Sequence, residues 1–190
     1  MKKILLTITL IVTTISLFGQ KSSEFRQTND YYITKVDSIV ADNYWKNNTI
    51  KTESILVYLK NNKGKTLTKY EISELEFYRG ATIEILDLEK MKNLKQVLHV
   101  KLSYDTCCSN HYSSYFLLTN NGELIELAEI ENLHCDGPEP KFEYRFPNQK
   151  FGKKDKILMT KSTLNNDYKV ESVEIIKTYF WNGEKIRLEK

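Results

Sequence analysis

Glycine is scarce, with seven in 190 residues, and that scarcity removes several kinds of site. No Gly-rich loop that could wrap a phosphate occurs, and there is no Gly-x-Ser-x-Gly nucleophile elbow; His-Glu-x-x-His is missing as well. An excess of one charge is also lacking, since 28 basic side chains face 25 acidic ones. Near balance gives no field to draw nucleic acid or an anionic membrane surface, so neither is expected as a partner. Lys150, Lys153, Lys154 and Lys156 read as a solvated turn. Glu123, Glu126, Glu129 and Glu131 do not build a field large enough to steer a partner, and Glu74 and Glu76 read as solvated carboxylates. The sequence therefore leans away from an enzyme and calls for no cofactor, although β domains often assemble active sites from distant residues.

Charge is also missing between Lys3 and Lys21. Met1-Lys2-Lys3 precedes an apolar run, 4–18, of Ile, Leu, Val and Phe diluted by Thr7, Thr9, Thr13, Thr14 and Ser16. A basic start followed by a run of this length is the export pattern. A spanning helix needs roughly 20 predominantly apolar residues, and the threonines weaken this one further. Ser16-Leu17-Phe18-Gly19-Gln20 resembles the end of many Gram-negative bacterial signal peptides, which implies a cut after Gly19. The first cysteine is Cys107, far from that cut, so no lipid anchor is expected there. The expected organisation is a signal peptide over 1–19 and one exported, β-rich domain over 20–190, periplasmic or secreted, with no membrane span after cleavage. About 170 residues suit a single domain with a real core.

The spacing of Ile33, Val36, Ile39, Val40 and Tyr44 places them on one face of a helix over 29–44. Residues 54–60 form a short buried strand, and Asn61-Asn62-Lys63-Gly64 turns the chain. Thr68-Lys69-Tyr70-Glu71 fits a capping box, which predicts a second helix over 69–79 that stops at Gly80. From Thr82 the period changes to two: Leu98, Val100, Leu102 and Tyr104 alternate with His99, Lys101 and Ser103, and His99 reads as a half-exposed sheet residue. Strands over 112–119 and 123–130 flank the hairpin signal Asn121-Gly122. Further strands cover 142–146 and 157–163, and those over 170–181 and 184–188 flank Asn182-Gly183. The last turn, Tyr179-Phe180-Trp181-Asn182-Gly183-Glu184-Lys185, is similar to terminal hairpins of many bacterial exports, which implies no function. The expected fold is α+β, mostly antiparallel β, with about eight strands in a meander or sandwich and one or two N-terminal helices packed on the sheet. In element order this resembles cystatin-like and nuclear-transport-factor-like folds.

Cysteine is rare, but it is concentrated. Cys107, Cys108 and Cys135, with His111 and His134, all fall in one predicted hairpin. In an oxidising compartment the expectation for facing cysteines is a disulfide. A two-residue turn at Asn121-Gly122 sets Phe116 against Leu127 and Leu118 against Ile125, and that register carries Cys108 opposite Cys135. A three-residue loop would set Phe116 against Glu126 and bring Cys107 opposite Cys135 instead. Directly opposed residues approach closely enough for a bridge. Cys108–Cys135 is the expected pair and Cys107–Cys135 the alternative. The competing chemistry is a zinc or copper site on Cys107, Cys108, His111, His134 and Cys135, although their spacing does not match the usual knuckles. Asp105 and Asp136 could join such a site, but read as turn residues. A nucleophilic cysteine beside His111 or His134 is a weaker option still.

Three functions follow in order of support. The first is a non-enzymatic binding domain, stapled by a disulfide, that meets another protein or an envelope component. The second is a metal- or thiol-dependent protein centred on the cysteine hairpin. The third is a small-ligand carrier with a pocket beside the first helix.

Overall fold

The computed structural model describes residues 24–45, 48–88 and 91–189; the expected signal peptide lies outside them. Within the described residues the protein is all β. Twelve strands form three antiparallel sheets: β1 (Tyr31–Trp45), β2 (Asn48–Asn61) and β3 (Thr66–Ile72); β4 (Tyr78–Asp87), β5 (Leu94–Asp105), β6 (Ser109–Thr119), β7 (Leu124–Glu126) and β8 (Ile130–His134); and β9 (Lys141–Arg145), β10 (Lys156–Leu164), β11 (Val170–Trp181) and β12 (Ile186–Leu188). The middle group runs in the order β4-β5-β6-β7, with β8 also paired to β6. No helix long and apolar enough to cross a membrane occurs among the described residues.

The α+β expectation is thus corrected: neither N-terminal helix forms. Residues 29–44 belong mostly to β1, which pairs with β2 along its whole length. The register shifts between Val36 and Ile39, so that Asp37 and Ser38 together oppose Ile55. An inserted residue resets the two-residue alternation in mid-strand. Apolar residues then recur at steps of three, as they would on a helix. The β-branched and aromatic composition of this stretch favours the strand. The second expected helix is β3 followed by a turn, in which the amides of Phe77 and Tyr78 both donate to the Glu74 carbonyl. Gly80 does take a positive φ, +152°, but inside β4, where Arg79 is the extra residue of a bulge rather than a helix end. The likeness to folds that cradle a helix falls with the helices, as does a carrier pocket beside the first of them.

The β4–β8 sheet lies at the centre, covered on both faces. Ile83, Ile85, Leu98, Val100, Leu102, Phe116 and Leu118 pack against Val57, Leu59 and Ile72 of the β1–β3 sheet. Their alternates Leu86, Val97 and Leu117 pack on the opposite face with Tyr144, Phe146, Ile157 and Trp181 of the β9–β12 sheet. At about 1.5–3 kcal/mol for each fully buried large apolar side chain, both layers contribute heavily to stability. Coverage on the second face stops part-way along the sheet, and that limit positions the site.

Candidate functional site: a cleft holding all three histidines

The register of the central sheet sets its uncovered half in three rows. Glu84 pairs with His99, which pairs with Tyr115; Thr82 with Lys101, which pairs with Ser113; and Ser103 with His111, which pairs with Asn132. In antiparallel sheets, paired residues and residues two apart share a face. These rows continue the face that carries Val97 and Leu117, beyond the point where β9–β12 covers it.

Two segments raise walls over this floor. On the β4 side, Arg26 makes a two-way backbone bridge with Ile85, both N–H···O distances being 2.9 Å, and this sets Phe25 and Gln27 against the cleft. On the β8 side, the Asn132 side-chain amide acts as a miniature strand. Its Nδ2 donates to the Phe142 carbonyl at 2.9 Å, and its Oδ1 accepts from the Phe142 amide at 2.6 Å. That clamp holds β9 beside β8 and presents Lys141, Phe142 and Glu143. The enclosed cleft measures about 390 Å³, and His99, His111 and His134 all line it. Small-molecule sites commonly span 300–1,000 Å³.

His99 is the most enclosed of the three, with its side chain 14% exposed. Its ring stacks on Tyr115 at 4.3 Å and meets Phe25 at 5.3 Å. Nδ1 faces the Glu84 carboxylate at 3.5 Å, while Nε2 is buried without a hydrogen-bond partner. Burial pushes the imidazole down to about 4, against the opposing pull of Glu84, with Lys141 and Lys101 adding to the depression. His99 is therefore neutral at physiological pH, and Nε2 presents either a bare lone pair or an unused N–H. The His111 ring lies 5.5 Å from that of His134. Its Nδ1 is also buried without a partner, and its pKa is lowered by burial, then by Lys101 and His134, against a raising effect of Asp105.

The charged groups differ in how far they are satisfied. Glu143 pairs with Arg145 and, at 3.0 Å, with Lys141. Glu84 accepts a hydrogen bond from Gln27 Nε2 at 3.4 Å. Lys101 makes no ion pair with any described residue.

The cysteine hairpin borders this cleft. Cys108 is bonded to Cys135, with their Cα atoms 4.6 Å apart. The register that brings them together differs from the expected one near the turn. Phe116 pairs with Glu126 and Leu118 with Leu124, around a three-residue loop in which Gly122 takes φ +79°. That loop would carry Cys107 opposite Cys135. Between the pairs Tyr115–Leu127 and Ser113–Ile130, however, Ser114 alone opposes both Ala128 and Glu129. The bulge adds one residue to the β7–β8 side, so Ser109 meets His134 and Cys108 reaches Cys135. The expected pair forms, but by a three-residue turn and a compensating bulge rather than by a two-residue turn alone.

Of the five residues weighed as metal ligands, Cys108 and Cys135 are spent on each other. Cys107 is an exposed free thiol in the β5–β6 turn, and only His111 and His134 face the cleft. Among the described residues no group of three or more His, Cys, Asp or Glu side chains is placed to hold a metal ion. Asp105 is engaged elsewhere, with Arg79 at 3.3 Å and the Ser109 hydroxyl at 3.1 Å. What sequence reasoning missed was His99, Lys101 and the β9 wall. The signal for the first two was present in the alternation of β5. The wall depends on a long-range clamp that no local pattern encodes.

No protein-family model matches this chain, and no curated protein or solved structure matches it either. The functional reading therefore rests on the cleft's own chemistry.

Proposed function

We propose that this protein is an exported, non-enzymatic binding domain, periplasmic or secreted after loss of residues 1–19, and that it binds its target through the histidine-lined cleft. The observation that carries the reading is the convergence of three imidazoles, two ammonium groups and two carboxylates on one walled cleft. Two ring nitrogens there, His99 Nε2 and His111 Nδ1, are buried and unpartnered. A buried polar group left unsatisfied costs about 1–3 kcal/mol, and a bound molecule would recover that cost. The leader pattern supports export. So does the Cys108–Cys135 bridge, which suits an oxidising compartment.

The cleft reading favours an envelope-derived or environmental small molecule over a flat protein partner, because the groups converge inward. The test is retention. Protein recovered from the producing cells is incubated with a small-molecule extract of those cells and their medium, washed, and analysed by mass spectrometry beside a His111→Ala variant. The expected result is a compound kept by the wild type and lost by the variant, from a protein whose N-terminus lies near residue 20. Identical retention by both proteins would contradict the binding role of the cleft. An unprocessed chain inside the cell would contradict export.

A further inference from the structure

The charges around the cleft say which kind of molecule it accepts. The lining carries two cations, Lys101 and Lys141, and two carboxylates, Glu84 and Glu143, but Glu143 is already paired with Lys141 and with Arg145, which stands outside the lining. The unmatched cation is Lys101. Its sheet neighbours Thr82 and Ser113 are both hydroxyl donors, and His111 lies one row beyond. At the opposite end of the cleft lie the aromatic surfaces, where Phe25 meets the stacked pair His99–Tyr115 at a tilt, with ring centroids 5.3 and 6.0 Å away, and where the Glu84 carboxylate faces His99.

We infer that the cleft takes a small organic anion, its carboxylate or phosphate held by Lys101, Ser113 and His111, and its flat body lying against Phe25 and His99. This rests on the binding role of the cleft and adds the chemistry of the ligand. A cationic ligand, or a metal dication on the imidazoles, would meet the positive field of Lys101, which adds to burial in disfavouring a proton on His111. An anion reverses that field. Binding then draws a proton onto His111 and tightens as the pH falls. The groups facing His111 are Lys101 from β5, Asp105 at the end of that strand, His134 from β8, and Lys141 and Glu143 across the cleft on β9. Glu84 and His99 lie farther along the floor.

Four probes test the inference on the oxidised, full protein recovered from cells: benzoate, phenyl phosphate, benzylamine and zinc ion, each followed by the histidine-ring signals in NMR. The expected result is saturable binding of at least one of the two anions, moving the His99 and His111 rings together, and tighter at pH 5.5 than at pH 7.5. Lys101→Met weakens it by about 10- to 100-fold, the range of one charge-assisted hydrogen bond. Lys101→Arg keeps most of it, which guards against a folding defect in the first variant. Ring shifts caused by benzylamine or zinc, with none from the anions, would overturn the anion inference and leave the binding role standing. Silence from all four probes would also overturn it. The binding role itself falls only if the retention experiment shows no difference between wild type and variant as well.

Discussion

The two faces of the central sheet use the same strands to opposite ends. Toward β1–β3, strand β5 presents Leu98, Val100 and Leu102, between 0 and 5% exposed, in an unbroken apolar row. Toward β9–β12 it presents Val97, fully buried, and then His99, Lys101 and Ser103. The first face is buried as far as Leu102 and becomes half-buried only at Tyr104, so it contributes stability along most of the strand. The second changes from core to cleft within one pleat. Alternation along a strand thus tells which face is polar, but not whether that face meets solvent or another wall. His99 lies on the polar face and is nonetheless mostly enclosed.

The largest expected effect tests whether both apolar regions are equally core. Leu98→Ala on the first face and Leu117→Ala on the second remove side chains that are 0% exposed. Each should cost about 2–5 kcal/mol in denaturant unfolding. A small loss for Leu117 alone would mean that the β9–β12 sheet does not seat on the centre as described.

Next comes the staple at the rim of the cleft. The bridge spans 27 residues, and loop closure of that length is worth about 3–4 kcal/mol. Cys135→Ala, or reduction of the wild type, should lower stability by that order, and thiol counting on the oxidised protein should find one reactive cysteine, Cys107. Unchanged melting after loss of the bridge, or three free thiols, would contradict the bridge.

A pH effect separates the faces further. The folded value of His99, about 4, lies below its ordinary 6.5. Between these values the unfolded chain binds a proton that the folded chain refuses, so stability falls as the pH drops from 6.5 toward 4 and levels off below. The contribution is on the order of 2–3 kcal/mol across that window. His99→Gln should flatten the slope in stability curves measured at several pH values; an unchanged slope would place the imidazole in solvent. The smallest effect belongs to Cys107→Ser. Exposed and outside the bridge, it should alter unfolding by no more than about 0.5 kcal/mol.

Much of the β architecture was legible from residue periodicity. The residues of β5 and β9 alternate with a two-residue period, other strands were marked by apolar runs between turn signals, and the positions of Asn121-Gly122 and Asn182-Gly183 mark real turns. The N-terminal region was misread for a physical reason. A bulge at Asp37-Ser38 imitates a helical period, and the Thr68–Glu71 capping signal sits in a strand that pairs with β2. Tertiary pairing overrode the local capping signal at the second place, whereas at the first the bulge imitated a helical period that the β-branched composition did not share. At the cysteines the right partner was legible, whereas the register was not, because the bulge opposite Ser114 leaves no mark in composition. The cleft was half legible: His111 and His134 stood out by their clustering and the alternation of β5 put His99 and Lys101 on one face, while the Asn132–Phe142 clamp that walls them in emerges only when the strands are laid side by side.

Histidine-ring NMR over pH 3–8 on the oxidised protein tests most directly whether the three imidazoles share one enclosed site. The expected result is that burial holds His99 neutral down to about pH 4 and that its signals respond as His111 gains its proton. Titrations of His99 and His111 at the ordinary imidazole value of 6.5, each blind to the other, would show rings scattered in solvent and would remove the cleft on which the functional reading depends.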